Sequence, residues 1–514
     1  MNTAPFGQCV ARSAARWTAL VIAGATIAGP AWADNNHRDR DRGRVTCPEL
    51  TGRRIADAQI VSAAMVAATA TLPEYCRVHG LIEPKLNFEL RLPTDWNSKL
   101  HYGGGGGYNG SIPPLDPGAL SKGFAQVSSD SGHQGNGLDA SFIQGDPLAA
   151  AQFGFLSVPT VTHAARDIVR VYYHRAPRKS YFEGCSNGGR EALMTVQRFP
   201  WLFDGVISRA PAYNWVGIMG AFNRTAKALA APGGAMSPAK VTTLSQAVLA
   251  ACDALDGIAD GVVSNPQACH FDPATLRCPG GGDTGTGCLS DAQLAVVQSW
   301  TTPATFLGGR YRNAGWPLSG NEDVPGGWDP WVSGGIQLQF LFSDTTIKYY
   351  LAHDANANSL LYDYESNPLA LHIMAALNDA TNPNIHHFVG SGGKLILWHG
   401  TNDSALSYRS TTEYHRRVVR AVGGPANADH FLRYYLAPGV NHCAGGPGAD
   451  STDLLAALDA WVTRHKAPGT LRATRSDPAT GEVVLSRPLC EYPTYPRYHG
   501  GPPTAAGSFT CTSP

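Results

Sequence analysis

The sequence has no excess of charge of either sign and few charged residues. Its 514 residues include 40 lysines and arginines against 40 aspartates and glutamates, and charged residues make up 16% of the chain, below the roughly 25% usual for soluble domains. Because no surplus positive charge is present, binding to a nucleic-acid backbone has no electrostatic support. The length predicts about three domains, or one large domain with an insertion.

Long hydrophobic runs are also scarce. Arg12 and Arg16 precede a mostly apolar stretch at 17–28, which is followed by a small-residue cleavage motif at 31–33. This pattern is typical of a signal peptide over residues 1–33, with a buried N-terminal helix as the alternative. Because no later run reaches about 18 apolar residues, we predict a soluble protein that is secreted or periplasmic and has no membrane partner. The polar segment at 35–44 is expected to be a disordered tail.

Cysteine spacing of the metal-binding kind is absent. No C-x-x-C pair occurs among the 11 cysteines, which argues against a zinc site. Cys9 lies in the predicted leader, so ten cysteines remain. An even number in an exported chain predicts five disulfide bonds, with buried free thiols as the alternative.

What the sequence does contain is an alternation of strand-like and helix-like segments. Apolar runs predict strands near residues 88–92, 100–102, 123–128, 181–182, 203–208, 394–398 and 433–436. Helix-like stretches at 159–173 and 189–198 lie between some of these runs. Strands that alternate with helices favour an α/β fold, in which a mainly parallel sheet is covered on both faces.

This alternation fades between residues 213 and 388, where glycine, proline, asparagine and tryptophan are frequent. We interpret this segment as an insertion over the sheet and call residues 213–388 the lid. Residues 34–212 and 389–514 are then predicted to form one domain around the sheet, which the motifs below identify as catalytic.

The most specific motif is Gly-Cys-Ser-Asn-Gly at 184–188, which fits G-x-S-x-G. It follows the strand predicted at 181–182 and opens a helix, the context in which a sharp turn exposes a serine nucleophile. No other serine in the chain has glycine both two residues before and two residues after it. We therefore predict Ser186 as a nucleophile, with a simple glycine turn as the alternative.

A histidine is linked to this serine by the cysteines beside them. Cys185 precedes Ser186, and His442 precedes Cys443 in the only His-Cys pair of the chain. If the two cysteines are bonded, their Cα atoms lie about 5.5–6 Å apart. The serine and the histidine are then within range to act as nucleophile and base.

The third member of such a triad should follow a strand and lie between serine and histidine in chain order. Asp403 meets both conditions, because it follows the strand predicted at 394–398. It would orient the ring of His442 and stabilise the imidazolium. A turn-forming aspartate is the alternative, and Asp429 competes but lies before the last strand.

With its Cys-Ser nucleophile, aspartate and His-Cys pair, the sequence resembles the tannase and feruloyl esterase family of α/β-hydrolases over nearly the whole mature chain. The resemblance implies an α/β-hydrolase fold with a large lid inserted before the strand that carries the catalytic aspartate. It also implies one disulfide beside the catalytic residues and four local ones, namely Cys185–Cys443, Cys47–Cys76, Cys252–Cys269, Cys278–Cys288 and Cys490–Cys511.

Five consecutive glycines at 103–107 form a second motif. Gly105, Gly107 and Gly110 match a dinucleotide-binding fingerprint, but the proline-rich segment after them cannot open the helix that a pyrophosphate needs. A flexible linker is another alternative. We predict instead that the backbone N–H of Gly106 or Gly107, together with that of Asn187, forms an oxyanion hole.

A third motif crowds three aspartates into a short loop of the lid. Uncompensated carboxylates repel one another, so a hard cation would stabilise them, although an acidic surface turn is the alternative. In the resembling family this pattern is a calcium site. The resemblance implies a structural Ca²⁺ held by the carboxylates of Asp253, Asp256 and Asp260 and by the carbonyls of Ile258 and Val262.

Together these features predict a serine carboxylesterase that works as a monomer or homodimer. The resemblance implies that its substrate is a small-molecule aromatic ester of the feruloyl or galloyl type. Candidate aromatic contacts for such an acid lie in the lid, at Trp316, Trp328, Trp331, Phe340, Phe342, Tyr349 and Tyr350. No lysine or arginine occurs at 313–347, which disfavours a substrate with a free carboxylate. The alternatives are a terephthalate half-ester hydrolase, a serine peptidase and a non-catalytic, calcium-stabilised binding module.

Overall fold

The computed structural model describes residues 45–514. The predicted signal peptide at 1–33 and the predicted tail at 35–44 lie outside the described residues. Among the helices that are described, none is both long and apolar enough to cross a membrane.

The described residues contain strands and helices that we number in chain order. The strands β1 to β16 are Arg54–Ile55, Ala58–Val66, Tyr75–Ile82, Leu86–Pro93, Lys99–Gly103, Ala125–Ser129, Lys179–Cys185, Gly205–Arg209, Ala304–Phe306, Tyr311–Asn313, Lys394–Gly400, Leu432–Ala437, Leu471–Ser476, Val483–Leu489, Tyr495–Tyr498 and Phe509–Thr512. The helices α1 to α14 are Pro117–Ser121, Pro147–Ala151, Ser157–Tyr173, Asn187–Arg198, Trp215–Ala230, Pro238–Cys252, Asp291–Thr301, Trp328–Trp331, Leu338–Thr346, Pro368–Asn378, His386–Gly390, Tyr408–Ala421, Pro425–Ala428 and Leu454–Arg464.

A ten-stranded sheet lies at the centre, in the order β1-β2-β3-β4-β6-β5-β7-β8-β11-β12. The five neighbouring pairs from β6 to β12 are parallel. The strands β1 to β4 form an antiparallel meander that joins β6. In parallel α/β sheets, functional groups gather beyond the carboxyl ends of the strands, so the loops after β5, β7, β11 and β12 are the ones to inspect.

Both faces of the parallel part of the sheet are buried, as parallel strands require. On one face, Val161 and Ile168 of α3 and Leu193 of α4 belong to the same core cluster as the strands. On the other face, Leu458 and Trp461 of α14 pack in a cluster with strand residues. The parallel strands contain short apolar runs, which explains why they could be predicted from the sequence, whereas β1 to β3 were not predicted.

The lid is more helical than its sequence suggested, and its apolar residues share one buried cluster with Tyr108, Phe153 and Leu406 from outside it. Helices α5 to α10 lie within residues 213–388, although the expected alternation of strands and helices fades there. Trp300, Trp316 and Trp328 are fully buried in the cluster that these helices form. Near the end of the predicted lid, Ile385 and Phe388 pack instead in the core of the sheet.

Candidate active site

Ser186 lies in a sharp turn between β7 and α4, with φ 63° and ψ −121°. A positive φ is unfavourable for a residue that has a side chain, and such strain clusters at functional sites. The two flanking glycines are required by space as well, because a Cβ on Gly184 would lie 2.5 Å from the carbonyl carbon of Gly188. The turn has the geometry of the nucleophile elbow that the motif predicts.

His442 and Asp403 are hydrogen-bonded in the loops that follow β12 and β11. The Nδ1 atom of His442 lies 2.8 Å from Oδ2 of Asp403. The other carboxylate oxygen of Asp403 accepts the backbone N–H groups of Ala405 and Leu406, each at 2.8 Å. The side chain of Asp403 is fully buried and that of His442 is 11% exposed, so the aspartate is fixed while the imidazole stays accessible.

A second buried histidine, which the sequence analysis did not single out, shares the same carboxylate. The Nε2 atom of His399 lies 3.1 Å from Oδ2 of Asp403, and its Nδ1 lies 2.8 Å from Oγ1 of Thr411. Burial raises the pKa of Asp403, but the charge of His442 and the hydrogen bonds from both histidines outweigh burial and hold the pKa below its usual value. The signal in the sequence was the position of His399 at the end of a buried strand, four residues before the aspartate.

The predicted disulfide joins the loops that carry the serine and the histidine. Cys185 and Cys443 are bonded, with their Cα atoms 5.9 Å apart and a sequence separation of 258. Because Ser186 and His442 are their direct neighbours in the chain, the bond holds the two backbone segments that carry these residues next to each other. The four local disulfides are also formed, which confirms the five pairs Cys185–Cys443, Cys47–Cys76, Cys252–Cys269, Cys278–Cys288 and Cys490–Cys511.

The glycine loop after β5 has few unused backbone donors. The N–H groups of residues 104, 105, 108, 109 and 110 all donate to protein acceptors. Within residues 45–514, no acceptor is found for the N–H of Gly106 or Gly107. Gly107 has φ 56°, and a Cβ there would lie 2.3 Å from the carbonyl oxygen of Gly137. The two glycines predicted from the sequence are therefore the ones whose donors are free, and Gly107 borders the same pocket as Ser186 and Asn187.

The pocket beside Ser186 is almost entirely apolar. Its walls come mostly from the lid and from the loop after Asp403, and include Trp215, Met219, Phe222, Trp331, Phe342 and Leu406. No charged side chain lines it among the residues that the structure describes. The ring of Trp331 also lies edge-on to that of His442, with 5.2 Å between the ring centroids.

Of the lid aromatics predicted to contact an aryl acid, only two line this pocket. Trp331 and Phe342 do so, whereas Trp316 and Trp328 are fully buried in the core of the lid. Four pocket residues on α5 were not predicted from the sequence, namely Trp215, Ile218, Met219 and Phe222. Apolar residues on a buried helix carry no signal in the sequence that separates a pocket wall from a core.

Comparison with known proteins identifies the family of this chain. The family described as tannase and feruloyl esterase matches residues 69–512. The chain belongs to that family.

Two curated relatives and one solved structure illustrate the relationship. Mono(2-hydroxyethyl) terephthalate hydrolase of Piscinibacter sakaiensis is 34% identical over 88% of this chain and 87% of its own. Feruloyl esterase B of Aspergillus niger is 29% identical over 90% and 91%. The crystal structure of feruloyl esterase B from Aspergillus oryzae superimposes with a TM-score of 0.80 at 23% identity, covering 90% of this chain and 98% of that one.

These relationships confirm the predicted family and the α/β-hydrolase fold. They also make this protein a carboxylic ester hydrolase, as the sequence predicted. We refer to it below as the esterase.

In the esterase, a pair of asparagines connects the lid to both loops of the His–Asp pair. The side-chain amide of Asn402, next to Asp403, donates to Oδ1 of Asn441, next to His442. The same amide donates to the carbonyl of Asn321 in the lid at 3.1 Å. The amide of Asn441 donates to the carbonyl of Pro325 in the lid at 2.8 Å. These asparagines could not be selected from the sequence, because their partners are distant in the chain.

The first aspartate of the predicted calcium loop is hydrogen-bonded to the backbone of the loop itself. Both carboxylate oxygens of Asp253 accept backbone N–H groups of residues 260–262, at 2.9 to 3.3 Å. Oδ2 of Asp256 and Oδ1 of Asp260 are buried and have no hydrogen-bond partner within residues 45–514. Burial raises the pKa of Asp256 to about 6 and also raises that of Asp260.

Two uncompensated carboxylate oxygens are what a hard cation would stabilise, so the loop fits Ca²⁺. The carbonyls of Ile258 and Val262 also accept no hydrogen bond from the described residues. However, the described part of the chain contains no group of three or more Asp, Glu, His or Cys side chains that converge as a metal site. The carboxylate of Asp253 is turned to the backbone of the loop, and the second oxygen of Asp260 accepts a hydrogen bond from Arg487.

Proposed function

We propose that this protein is a secreted or periplasmic serine esterase that hydrolyses uncharged aromatic esters of the feruloyl or galloyl type. The observation that supports it best is the arrangement around Ser186. The His442–Asp403 hydrogen bond of 2.8 Å is tied to the strained serine turn by the Cys185–Cys443 bond. A nucleophile, a base and a residue that orients the base are the groups that acyl transfer needs.

In the proposed mechanism, Oγ of Ser186 attacks the ester carbonyl while Nε2 of His442 takes the hydroxyl proton. The buried carboxylate of Asp403 keeps the proton on Nδ1 and stabilises the imidazolium. The N–H groups of Asn187 and of Gly106 or Gly107 bind the oxyanion of the tetrahedral intermediate. His442 then returns the proton to the leaving alcohol, and water hydrolyses the acyl-enzyme by the same steps.

The role of Ser186 is tested by Ser186→Ala in comparison with Ser180→Ala. Ser180 is buried at the opposite end of the same strand, so it controls for loss of a buried hydroxyl. We expect Ser186→Ala to abolish turnover of an aryl ester and labelling by a fluorophosphonate, and Ser180→Ala to keep both. Turnover by Ser186→Ala near the wild-type rate would refute the assignment.

The choice of substrate follows from the pocket. An aryl group is stabilised by apolar and aromatic walls, and no cation lines the pocket to pair with a carboxylate. We therefore expect methyl ferulate or methyl gallate to be hydrolysed with a higher kcat/KM than a terephthalate half-ester.

A terephthalate half-ester is the second candidate, because a terephthalate half-ester hydrolase is 34% identical to this chain. The two are separated by one matched pair of esters, the monomethyl and the dimethyl ester of terephthalic acid. Preference for the dimethyl ester supports the uncharged substrate, and preference for the monomethyl ester supports the half-ester.

We also propose that Ca²⁺ binds the loop of the lid and stabilises it, with ligands from Asp253, Asp256, Ile258, Asp260 and Val262. A cation that binds only the folded state raises stability by about 2.7 kcal/mol at 100 times its Kd. We expect chelation to lower the unfolding temperature, and Asp256→Asn to remove most of this shift. The control is Asp354→Asn, an exposed lid aspartate, and retention of the full shift in Asp256→Asn would contradict the site.

Export is supported by the five disulfides, since such bonds persist in oxidising compartments. Cell fractionation with N-terminal sequencing of the mature protein tests it, with cleavage after residue 33 as the expected result.

A further inference from the structure

The second turn of α4 contains a buried carboxylate that the proposed mechanism does not use. Glu191 is 4% exposed, and its Oε2 accepts the backbone N–H of Gly105 at 3.0 Å. Its Oε1 accepts the side-chain amide of Asn109 at 2.8 Å and that of Asn187 at 3.1 Å. All three partners are N–H donors, so the carboxylate acts only as an acceptor.

These three partners surround the free donors of the oxyanion hole. Gly105 immediately precedes Gly106 and Gly107, and Asn109 follows them, so Glu191 binds the loop on both sides of its two free N–H groups. Asn187 supplies the third proposed donor through its own backbone. One side chain thus joins the glycine loop to the start of the nucleophile helix.

The packing around this carboxylate leaves the loop little freedom to move. A Cβ on Gly104 would lie 2.8 Å from Cα of Gly188 and 3.1 Å from Oε2 of Glu191, and a Cβ on Gly105 would lie 2.0 Å from Oδ1 of Asn109. The adjacent guanidinium of Arg190 is fully buried and donates to Oδ1 of Asn187 at 2.7 Å. The positive charge of Arg190 therefore lies near the carboxylate of Glu191. Without it, the lone negative charge of Glu191 would disfavour an oxyanion in this site.

We propose that Glu191 is a positioning residue for the oxyanion hole, which holds the N–H groups of the glycine loop and of Asn187 at the spacing that the tetrahedral intermediate needs. The inference rests on the proposed serine mechanism. Loss of an oxyanion donor costs about 10²- to 10³-fold in kcat, and displacement of a donor should cost less than its loss.

The test uses Glu191→Gln in the full-length protein. Glutamine has one acceptor oxygen and presents an NH₂ group to the other N–H donors, so part of the loop must move. We expect kcat to fall about 10- to 100-fold with KM changed less than about threefold. An arylboronic acid, to whose boron Oγ of Ser186 adds as its proton passes to His442, should bind more weakly by the same factor as kcat/KM.

Active sites are counted by fluorophosphonate titration, so that misfolded protein does not enter kcat. The second variant, Asn109→Gly, removes the side-chain amide that donates to Glu191. Glycine suits the backbone there, because Asn109 has φ 59°. We expect a smaller loss in the same two quantities, and a double variant close to Glu191→Gln alone.

The proposal is overturned if Glu191→Gln keeps kcat within twofold, or if kcat falls while boronic acid affinity is unchanged. Failure of the serine mechanism itself would look different, because wild-type protein would then bind neither the fluorophosphonate nor the boronic acid at Ser186.

Discussion

The carboxyl ends of the sheet strands, which we call the sheet edge, and the lid shift the pKa values of buried carboxylates in opposite directions. At the sheet edge, burial raises the pKa of Glu183, but the charges and hydrogen bonds of Arg209 and His101 together outweigh burial and lower the pKa to about 2. The pKa of Asp403 is lowered in the same way by its two histidines. In the lid, burial dominates and raises the pKa of Asp256 to about 6 and that of Asp379 to about 7.

The difference reflects which cationic groups and hydrogen-bond donors each region provides to compensate a buried negative charge. The ends of parallel strands bring several loops together, so cations from distant parts of the sequence can meet a carboxylate there. In the lid, the burial of Asp379 outweighs the hydrogen bond that it accepts from the backbone N–H of Val216 at 3.1 Å and the nearby charges of Arg190 and Arg198. The sheet edge is therefore built for charged catalytic groups, and the lid for an apolar pocket at some cost in stability.

The largest expected effect separates the two regions directly. Asp403→Asn should lower kcat about 10⁴-fold, because the amide no longer fixes the histidine tautomer or stabilises its charge. The same substitution in the lid, Asp379→Asn, should keep kcat within tenfold. Steady-state kinetics on one aryl ester measure both, and equal losses would remove the distinction between the regions.

The disulfides provide the second comparison. Removal of Cys185–Cys443 by alanine at both positions frees the loops of Ser186 and His442, so we expect kcat/KM to fall about 10²-fold. Removal of Cys278–Cys288 in the lid should leave kcat/KM nearly unchanged.

Stability should follow the same order. The chain-entropy model gives about 5 kcal/mol for the loop of 258 residues and about 3 kcal/mol for the loop of 10. Urea unfolding measures the difference. A larger loss of kcat/KM on removal of Cys278–Cys288 than on removal of Cys185–Cys443 would reverse the comparison of activity between the two disulfides.

A smaller effect is expected at the wall of the pocket. Phe342→Ala removes an aromatic contact beside Ser186 and should lower the preference for a feruloyl over an acetyl ester about 10-fold. Phe340→Ala, on the same helix but outside the pocket lining, is the matched control. Ratios of kcat/KM for the two esters test this, and an equal change in both variants would argue that Phe342 acts through the fold of the lid.

The last comparison concerns pH and stability. Burial raises the pKa of Asp379 to about 7 in the folded esterase, from 3.8 for an ordinary aspartate, so between those pH values the folded state binds a proton that the unfolded state does not. Asp379 therefore stabilises the fold progressively as pH falls from 7 towards 4, by up to about 1.4 kcal/mol per pH unit.

This contribution is measured as the difference in unfolding free energy between wild type and Asp379→Asn at pH 5 and pH 8. The difference should favour wild type more at pH 5, and Asp354→Asn should show no such dependence. A difference that is the same at both pH values would mean that Asp379 does not titrate with folding.

How far the sequence could be interpreted depended on the range of the interactions. The strand and helix on either side of Ser186 were predicted because a buried strand, a glycine turn and an amphipathic helix are local patterns. The helices of the lid were not, because their apolar residues pack against one another and carry no clear period. Asn402 and Asn441 were not predicted because their partners are distant in the chain. His399 was not predicted although Asp403 lies only four residues later, because its contact with that carboxylate depends on the fold of the loop after β11.

The sequence by itself determined the family, the serine turn and, through the resemblance, the five disulfides, because these depend on residue types at fixed spacing. Only the tertiary structure decided which glycine donors are free, which aromatic side chains line the pocket and which buried carboxylates have a counter-charge. Those properties depend on distances between segments that are remote in sequence, and such distances are set by the packing of the sheet and the lid.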